Sequence, residues 1–294
     1  MIRSPMRAIW LVALAFMLVA ACKATPPPTQ ALPSPEPSPV ATEEATLPEA
    51  MEITTTLDVN YGSHQLMDVY APSKPGAWPV VVLLHGGGGG RTSMWTLAVA
   101  VAGQGAVAFV PEYACYPPPP TSITIGADDA ACAVRYARAN AASYGGNADR
   151  VIVAGYSGGG AFAMLVALAG DDYRGDCQVT GVSGRADGLV GLDGAFDLSN
   201  LMSAEQLAGA PADDWLAISP YAQLERQPHH QGLSFRLFAG SETGLVQDGQ
   251  AMRDALQAAG YSATFTQIPG VGHGGMSLDL PQTVLAILGM ARGG

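Results

Sequence analysis

Short apolar runs alternating with helix-period stretches predict an α/β fold: a mostly parallel central sheet with helices on both faces. Three observations carry this expectation. Pro79 to Leu84, Ala106 to Val110 and Val151 to Ala154 are continuous apolar runs, as strands buried on both faces require. Each run is followed by a stretch with helical spacing. Gly155, Tyr156, Ser157, Gly158 and Gly159 form a G-x-S-x-G sequence between one such run and the helix after it.

Taken in order, Ile53 to Val59 and Gln65 to Tyr70 read as two antiparallel strands around a turn at Tyr61, Gly62 and Ser63. Pro79–Leu84 is a strand, Ser93 to Gly103 a helix and Ala106–Val110 a strand. Asp128 to Tyr144 has helical spacing, with Ala130, Ala133, Val134 and Ala137 inward and Arg135 and Arg138 outward. Val151–Ala154 is a strand, Gly158 to Ala169 a helix and Gly188 to Leu192 a strand. Phe235 to Phe238, Gln247 to Ala259, Ala263 to Gln267 and Leu280 to Met290 continue the alternation. No internal repeat interrupts it, and one domain over residues 51–294 accommodates all of it.

The first fifty residues do not belong to that pattern. Arg3 and Arg7 precede an apolar run from Ala8 to Ala21 that is too short to span a bilayer as a helix. The run ends in Leu18, Val19, Ala20, Ala21 and Cys22, which resembles the lipobox of bacterial lipoproteins. That resemblance implies a signal peptide over residues 1–21, lipidation of Cys22 and export to the cell envelope. Residues 22–50 are dominated by Pro, Ala, Thr, Ser and Glu and predict a disordered tether. In extended polyproline geometry such a tether reaches about 80 Å.

Composition excludes several classes of function. Lys and Arg total 14 against 25 Asp and Glu, a net charge of −11. A chain so acidic lacks the basic face that nucleic acid or anionic lipid requires. Membrane association is therefore expected through the lipid anchor alone. Four Cys without zinc-ligand spacing imply no metal site, and no motif implies a cofactor. Cys115 follows a strand and Cys132 lies on the next helix, which allows a bridge between them with Cys177 free. Three thiols leave one odd, and spacing alone does not determine the pairing.

The chemistry centres on Ser157. A sharp strand-to-helix turn exposes its hydroxyl at the carboxyl edge of the sheet, and the helix behind it favours developing negative charge. His85, Gly86, Gly87 and Gly88 follow directly on the Pro79–Leu84 strand. Together with Ser157 they resemble the α/β-hydrolase fold, and within it the serine esterases and lipases with an HGGG loop. The segments Leu66–Pro72, Asp129–Tyr136 and Tyr144–Ser157 resemble the same regions of small bacterial carboxylesterases. The resemblance implies a nucleophile at Ser157. It implies an oxyanion hole from the backbone N–H groups of Gly87, Gly88 and Gly158, with Gly86 ranked lower.

A serine nucleophile needs a base. His273 lies after the last strand and before the last helix, where the chain order serine, acid, histidine places it. His64, His85, His229 and His230 do not occupy that position. The acid is harder to assign. The family places it after the Phe235–Phe238 strand, where Thr243 stands and Glu242 precedes it by one residue. Glu242 ranks first and Asp248 second, although Asp248 also suits a helix N-cap. Asp193 and Asp197, beyond the preceding strand, rank third.

The segment between Asp197 and Phe235 is short and predicts a minimal cap over an open cleft. The expected activity is hydrolysis of small or extended carboxylic esters, free or polymer-derived, through an acyl-enzyme on Ser157. Two alternatives are an inactive hydrolase-fold binding protein at the cell surface and an amidase or peptidase of the same fold.

Overall fold

The computed structural model describes residues 45–115, 122, 124–197, 199 and 212–294. The expected signal peptide, Cys22 and the expected tether up to residue 44 lie outside them, as does part of the segment between Asp197 and Phe235. The described residues group into one compact unit. Residues 45–50, expected as the end of the tether, already dock on that unit. Leu47 packs against its core, and Gln104 donates to the Pro48 carbonyl at 2.7 Å.

Eight strands form one sheet: β1 (Ile53–Asn60), β2 (Leu66–Pro72), β3 (Trp78–Leu84), β4 (Val107–Pro111), β5 (Gly146–Tyr156), β6 (Gly188–Leu192), β7 (Ser234–Glu242) and β8 (Ser262–Gly272). Their order is β1-β2-β4-β3-β5-β6-β7-β8. β1 pairs antiparallel with β2, and β2 with β4; every other pairing is parallel. This is the α/β-hydrolase fold. The chain leaves β3 toward β4 on one side and returns to β5 on the other. Ligands of open α/β sheets bind at such a reversal, beyond the carboxyl ends of the strands.

Alternation along the strands divides the core. Val80, Val82, Leu84, Val107, Phe109, Val151 and Val153 face one layer, under α2 (Ile125–Asn140), α3 (Gly158–Ala169) and α6 (Val246–Ala258). Val81, Leu83, Ala108, Val110, Ile152 and Ala154 face the other, under α1 (Trp95–Gly103) and α7 (Pro281–Ala291). All five residues from Val80 to Leu84 are fully buried. Full burial of a Val or Leu side chain contributes about 1.5–3 kcal/mol, so the strand is held from both faces.

Sequence patterning does not reveal two helices, α4 (Ala212–Ile218) and α5 (Pro220–Arg226). Seven residues are too few to display a helical period. The second is nonetheless marked locally. Ser219 accepts from the Ala222 N–H, and Pro220 occupies the first turn, where no N–H is needed. Gln223 then donates to the Leu216 carbonyl at 2.8 Å and joins the pair.

Two expectations are corrected. Arg135 is buried rather than outward; its guanidinium donates to the Gly170 carbonyl at 3.1 Å and so caps the end of α3. The disulfide joins Cys132 to Cys177, and Cys115 is free. Cys115 lies beyond β4, whereas the segment after α3 folds back over α2 and brings Cys177 to Cys132. Closing a span of 45 residues stabilises by about 4 kcal/mol in a chain-entropy account.

Candidate active site

Every candidate group stands at the carboxyl edge of the sheet. Ser157 occupies the turn between β5 and α3 with φ 54° and ψ −124°. A non-glycine residue there carries about 1–3 kcal/mol of strain and persists only when its surroundings hold it. Here the Ser157 N–H donates to the Leu192 carbonyl at 3.0 Å. The Ser157 carbonyl accepts from Gly160 at 2.9 Å and Ala195 at 3.1 Å. The turn is tight because its flanking glycines allow it. A Cβ on Gly155 would lie 2.1 Å from the Gly159 carbonyl oxygen, and one on Gly159 would lie 2.4 Å from that of Leu84.

His273 follows β8 directly and opens a short 3-10 turn to Ser277. Its Nε2 lies 3.0 Å from Ser157 Oγ, although 116 residues separate the two. Its Nδ1 contacts Asp193 Oδ2. Asp193 stands immediately after β6 and is fully buried. Its N–H donates to the Phe238 carbonyl at 2.7 Å, which ties the ends of β6 and β7 together. An ionised Asp193 holds the imidazole proton on Nδ1 and leaves the Nε2 lone pair for the serine hydroxyl. The Tyr156 ring lies against the imidazole with centroids 4.9 Å apart. Burial, and then the charge of Asp193, push the Tyr156 phenol up, so it stays neutral beside the histidine.

The acid ranked first from sequence is not the one that meets the histidine. Glu242 is exposed at the end of β7, in register with Gly272, and makes no hydrogen bond to His273. Asp248 is buried but turned elsewhere. Its carboxylate accepts the N–H groups of Phe196 at 2.8 Å and Asp197 at 3.1 Å, which braces the loop behind Asp193. The N-cap of its helix is Leu245 instead. Asp197 is exposed and accepts from Ser199 at 2.9 Å. Thr243, at the position where the resemblance places an acid, donates its hydroxyl to Asp193 Oδ1 at 2.9 Å.

The glycine loop after β3 forms a turn in which Gly89 N–H donates to the Gly86 carbonyl at 3.2 Å. Gly86 is its point of closest approach: a Cβ there would lie 2.9 Å from Ser157 Cβ. Gly88 needs its glycine for another reason, with φ +69°. Space is open around Gly87 and Gly88, where an added Cβ meets nothing within 4 Å. His85 anchors the loop from below. It is buried, its Nδ1 donates to the Gly86 carbonyl at 2.9 Å, and its own carbonyl accepts from the Tyr113 hydroxyl at 2.6 Å. Burial lowers its pKa and keeps the ring neutral.

The arrangement can move a proton from a serine hydroxyl to an imidazole, with backbone N–H groups nearby to receive an oxyanion. His273 is 43% exposed at its side chain, so the pair is open to solvent. Among the described residues, no three His, Cys, Asp or Glu side chains come together as metal ligands. No helix among them is long and apolar enough to cross a membrane.

The chain is similar to several known proteins. Esterase LipC of Mycobacterium tuberculosis is 26% identical over 246 residues, a match covering 74% of this chain and 59% of LipC. The chain thus spans less than two thirds of that relative. Carboxylesterase NlhH of the same species is 28% identical over 222 residues, covering 69% of this chain and 68% of NlhH. Among solved structures, propionate-bound Est2 of Thermogutta terrifontis superposes with a TM-score of 0.62 at 20% identity. That superposition covers 81% of this chain and 92% of Est2. The model of the BD-FAE family matches residues 67–231, from β2 through Ser157 and Asp193 to the segment before β7. That match takes in more than half of the sequence, and the chain belongs to the BD-FAE family.

Proposed function

We propose that this chain is a serine carboxylesterase. One observation carries the reading: a serine on a strained turn shares its hydrogen bond with a histidine whose other nitrogen meets a buried carboxylate. Ser157 Oγ attacks the ester carbonyl as His273 Nε2 takes its proton. The tetrahedral oxyanion receives hydrogen bonds from Gly158 N–H and from the Gly87 and Gly88 N–H groups. Its collapse breaks the bond to the alcohol oxygen, which leaves with the proton from His273. Water then attacks the acyl-enzyme with His273 again as base, and the carboxylic acid departs. Asp193 holds the imidazole in the required tautomer and stabilises the imidazolium. The esterase names of the mycobacterial relatives support an ester bond as the target.

The alternative of an inactive binding protein rests on the displaced acid, and the contact between Asp193 and His273 weighs against it. Nothing favours an amidase over an esterase. A fluorophosphonate probe is expected to label Ser157 at neutral pH, and His273→Ala is expected to abolish labelling. An unlabelled wild-type protein would end the enzyme reading. The exposed histidine also supports small or extended substrates, so p-nitrophenyl acetate is expected to be cleaved faster than the palmitate ester.

We further propose that the enzyme is exported and held to the cell envelope by acyl chains on Cys22, with residues 23–44 as a tether. The basic start, the short apolar run and the cysteine at its end support this. Metabolic labelling with palmitate is expected to mark the wild-type chain but not Cys22→Ser. Equal labelling of both would remove Cys22 as the anchor.

A further inference from the structure

Thr243 stands just past the end of β7, between the acid and the start of α6. Its Oγ1 lies 2.9 Å from Asp193 Oδ1 and 3.3 Å from the Gly240 carbonyl oxygen. The Leu245 N–H donates to the same Oγ1 at 3.2 Å. A hydroxyl has one proton to give. With a lone pair taken by Leu245, that proton goes to the nearer and charged acceptor, the Asp193 carboxylate. The chain of donors then runs from Leu245 through Thr243 to Asp193, and from His273 back to the same carboxylate. Asp193 is fully buried, so a lost donor is not replaced by water.

We propose that Thr243 is a positioning residue for the proton-transfer step: its hydroxyl fixes Asp193 Oδ1 so that Oδ2 faces His273 Nδ1. The inference rests on the serine-esterase reading and deepens it. Thr243 Oγ1 bonds with Asp193, Gly240 and Leu245, so its action on the imidazole runs through Asp193. Other titratable groups around the imidazole do not substitute for it. Tyr156 offers its ring face, Glu242 is exposed, and Asp248 is spent on the amides of Phe196 and Asp197.

Thr243→Val preserves the shape of the side chain and removes the hydroxyl; Thr243→Ser keeps the hydroxyl and removes the methyl. Thr243→Val is expected to lower kcat about tenfold or more, as loss of a hydrogen bond to a charged group implies, with KM within about twofold. A carboxylate that loses a donor becomes more basic, and its attraction for the imidazolium proton rises. The acid limb of kcat/KM is therefore expected to move upward by about half a pH unit or more. Thr243→Ser is expected to stay within about threefold of wild type with its acid limb in place. Rates are normalised to active sites titrated with a fluorophosphonate, so misfolded protein does not count. Wild-type kcat and acid limb in Thr243→Val overturn the proposal. Equal losses in both variants also overturn it, since the methyl would then matter rather than the hydroxyl. Ser157→Ala serves as control. Full ester hydrolysis in that variant removes the serine-esterase reading itself, whereas an inactive Ser157→Ala beside an unaffected Thr243→Val removes only the role of Thr243.

Discussion

Asp193→Asn is expected to lower kcat by about 10⁴-fold while leaving the fold in place. An amide of nearly the same size fits the buried site, but it cannot hold a positive charge opposite it. Its NH₂ also donates toward His273 Nδ1 and moves the imidazole proton to Nε2. That nitrogen then faces Ser157 with a hydrogen instead of a lone pair and cannot act as base. Glu242→Gln is expected to change kcat less than about twofold, because its exposed carboxylate meets neither the histidine nor the serine. Asp248→Asn should fall between them, since it loosens the Phe196 and Asp197 amides behind the acid without touching the imidazole. Steady-state kinetics on the three purified variants, with circular dichroism as the folding control, give the order. An active Asp193→Asn beside an inactive Glu242→Gln would return the acid to β7.

Gly159→Ala is expected to damage stability and rate together. A Cβ at Gly159 would lie 2.4 Å from the Leu84 carbonyl oxygen and 2.5 Å from that of His85. Both obstacles are backbone, so no side chain can swing aside. Either the start of α3 lifts off the end of β3, which opens the Ser157 turn, or the His85–Gly86 segment moves and takes the oxyanion loop with it. The expected cost is about 3 kcal/mol of stability, seen as a lowered Tm. Misplacing an oxyanion donor is expected to reduce kcat by about 10²–10³-fold in the protein that still folds. Gly87→Ala is the matched control. Its Cβ meets nothing within 4 Å, and its stability is expected to stay within about 0.5 kcal/mol of wild type. A Gly159→Ala protein with wild-type Tm and kcat would refute the close contact between helix and loop.

Much of this site is legible locally. Ser157 announces itself because a strand, a glycine-flanked turn and a helix occupy consecutive residues. His273 is found by chain order and by its place between the last strand and the last helix. The acid is not legible in that way. Asp193 directly follows β6, Glu242 ends β7 and Asp248 lies six residues beyond it, so all three stand near strand ends of the same sheet. A signal for Asp193 did exist: it follows the apolar run Gly188–Leu192 without a single intervening residue. The resemblance points instead to the end of β7, where Glu242 stands. Thr243 stands where the resemblance places an acid, but its role is not legible, because a threonine beyond a strand is ordinary turn chemistry until its neighbour is known.

Most strand and helix positions, the turn at Ser157, the place of His273 and the glycine loop are legible in the sequence alone, because each depends on periodicity or turn chemistry within a few residues; the short helices α4 and α5 are not. Which carboxylate meets His273, the Cys132–Cys177 pairing and the burial of Arg135 were decided only by the tertiary structure. His273 and Asp193 are 80 residues apart, and Cys132 and Cys177 are 45 apart. Which of several similar groups meets a distant partner depends on how far each strand runs past its neighbour and how the loops return. Those offsets are of the order of one residue, about 3.3 Å, which is the difference between a hydrogen bond and none.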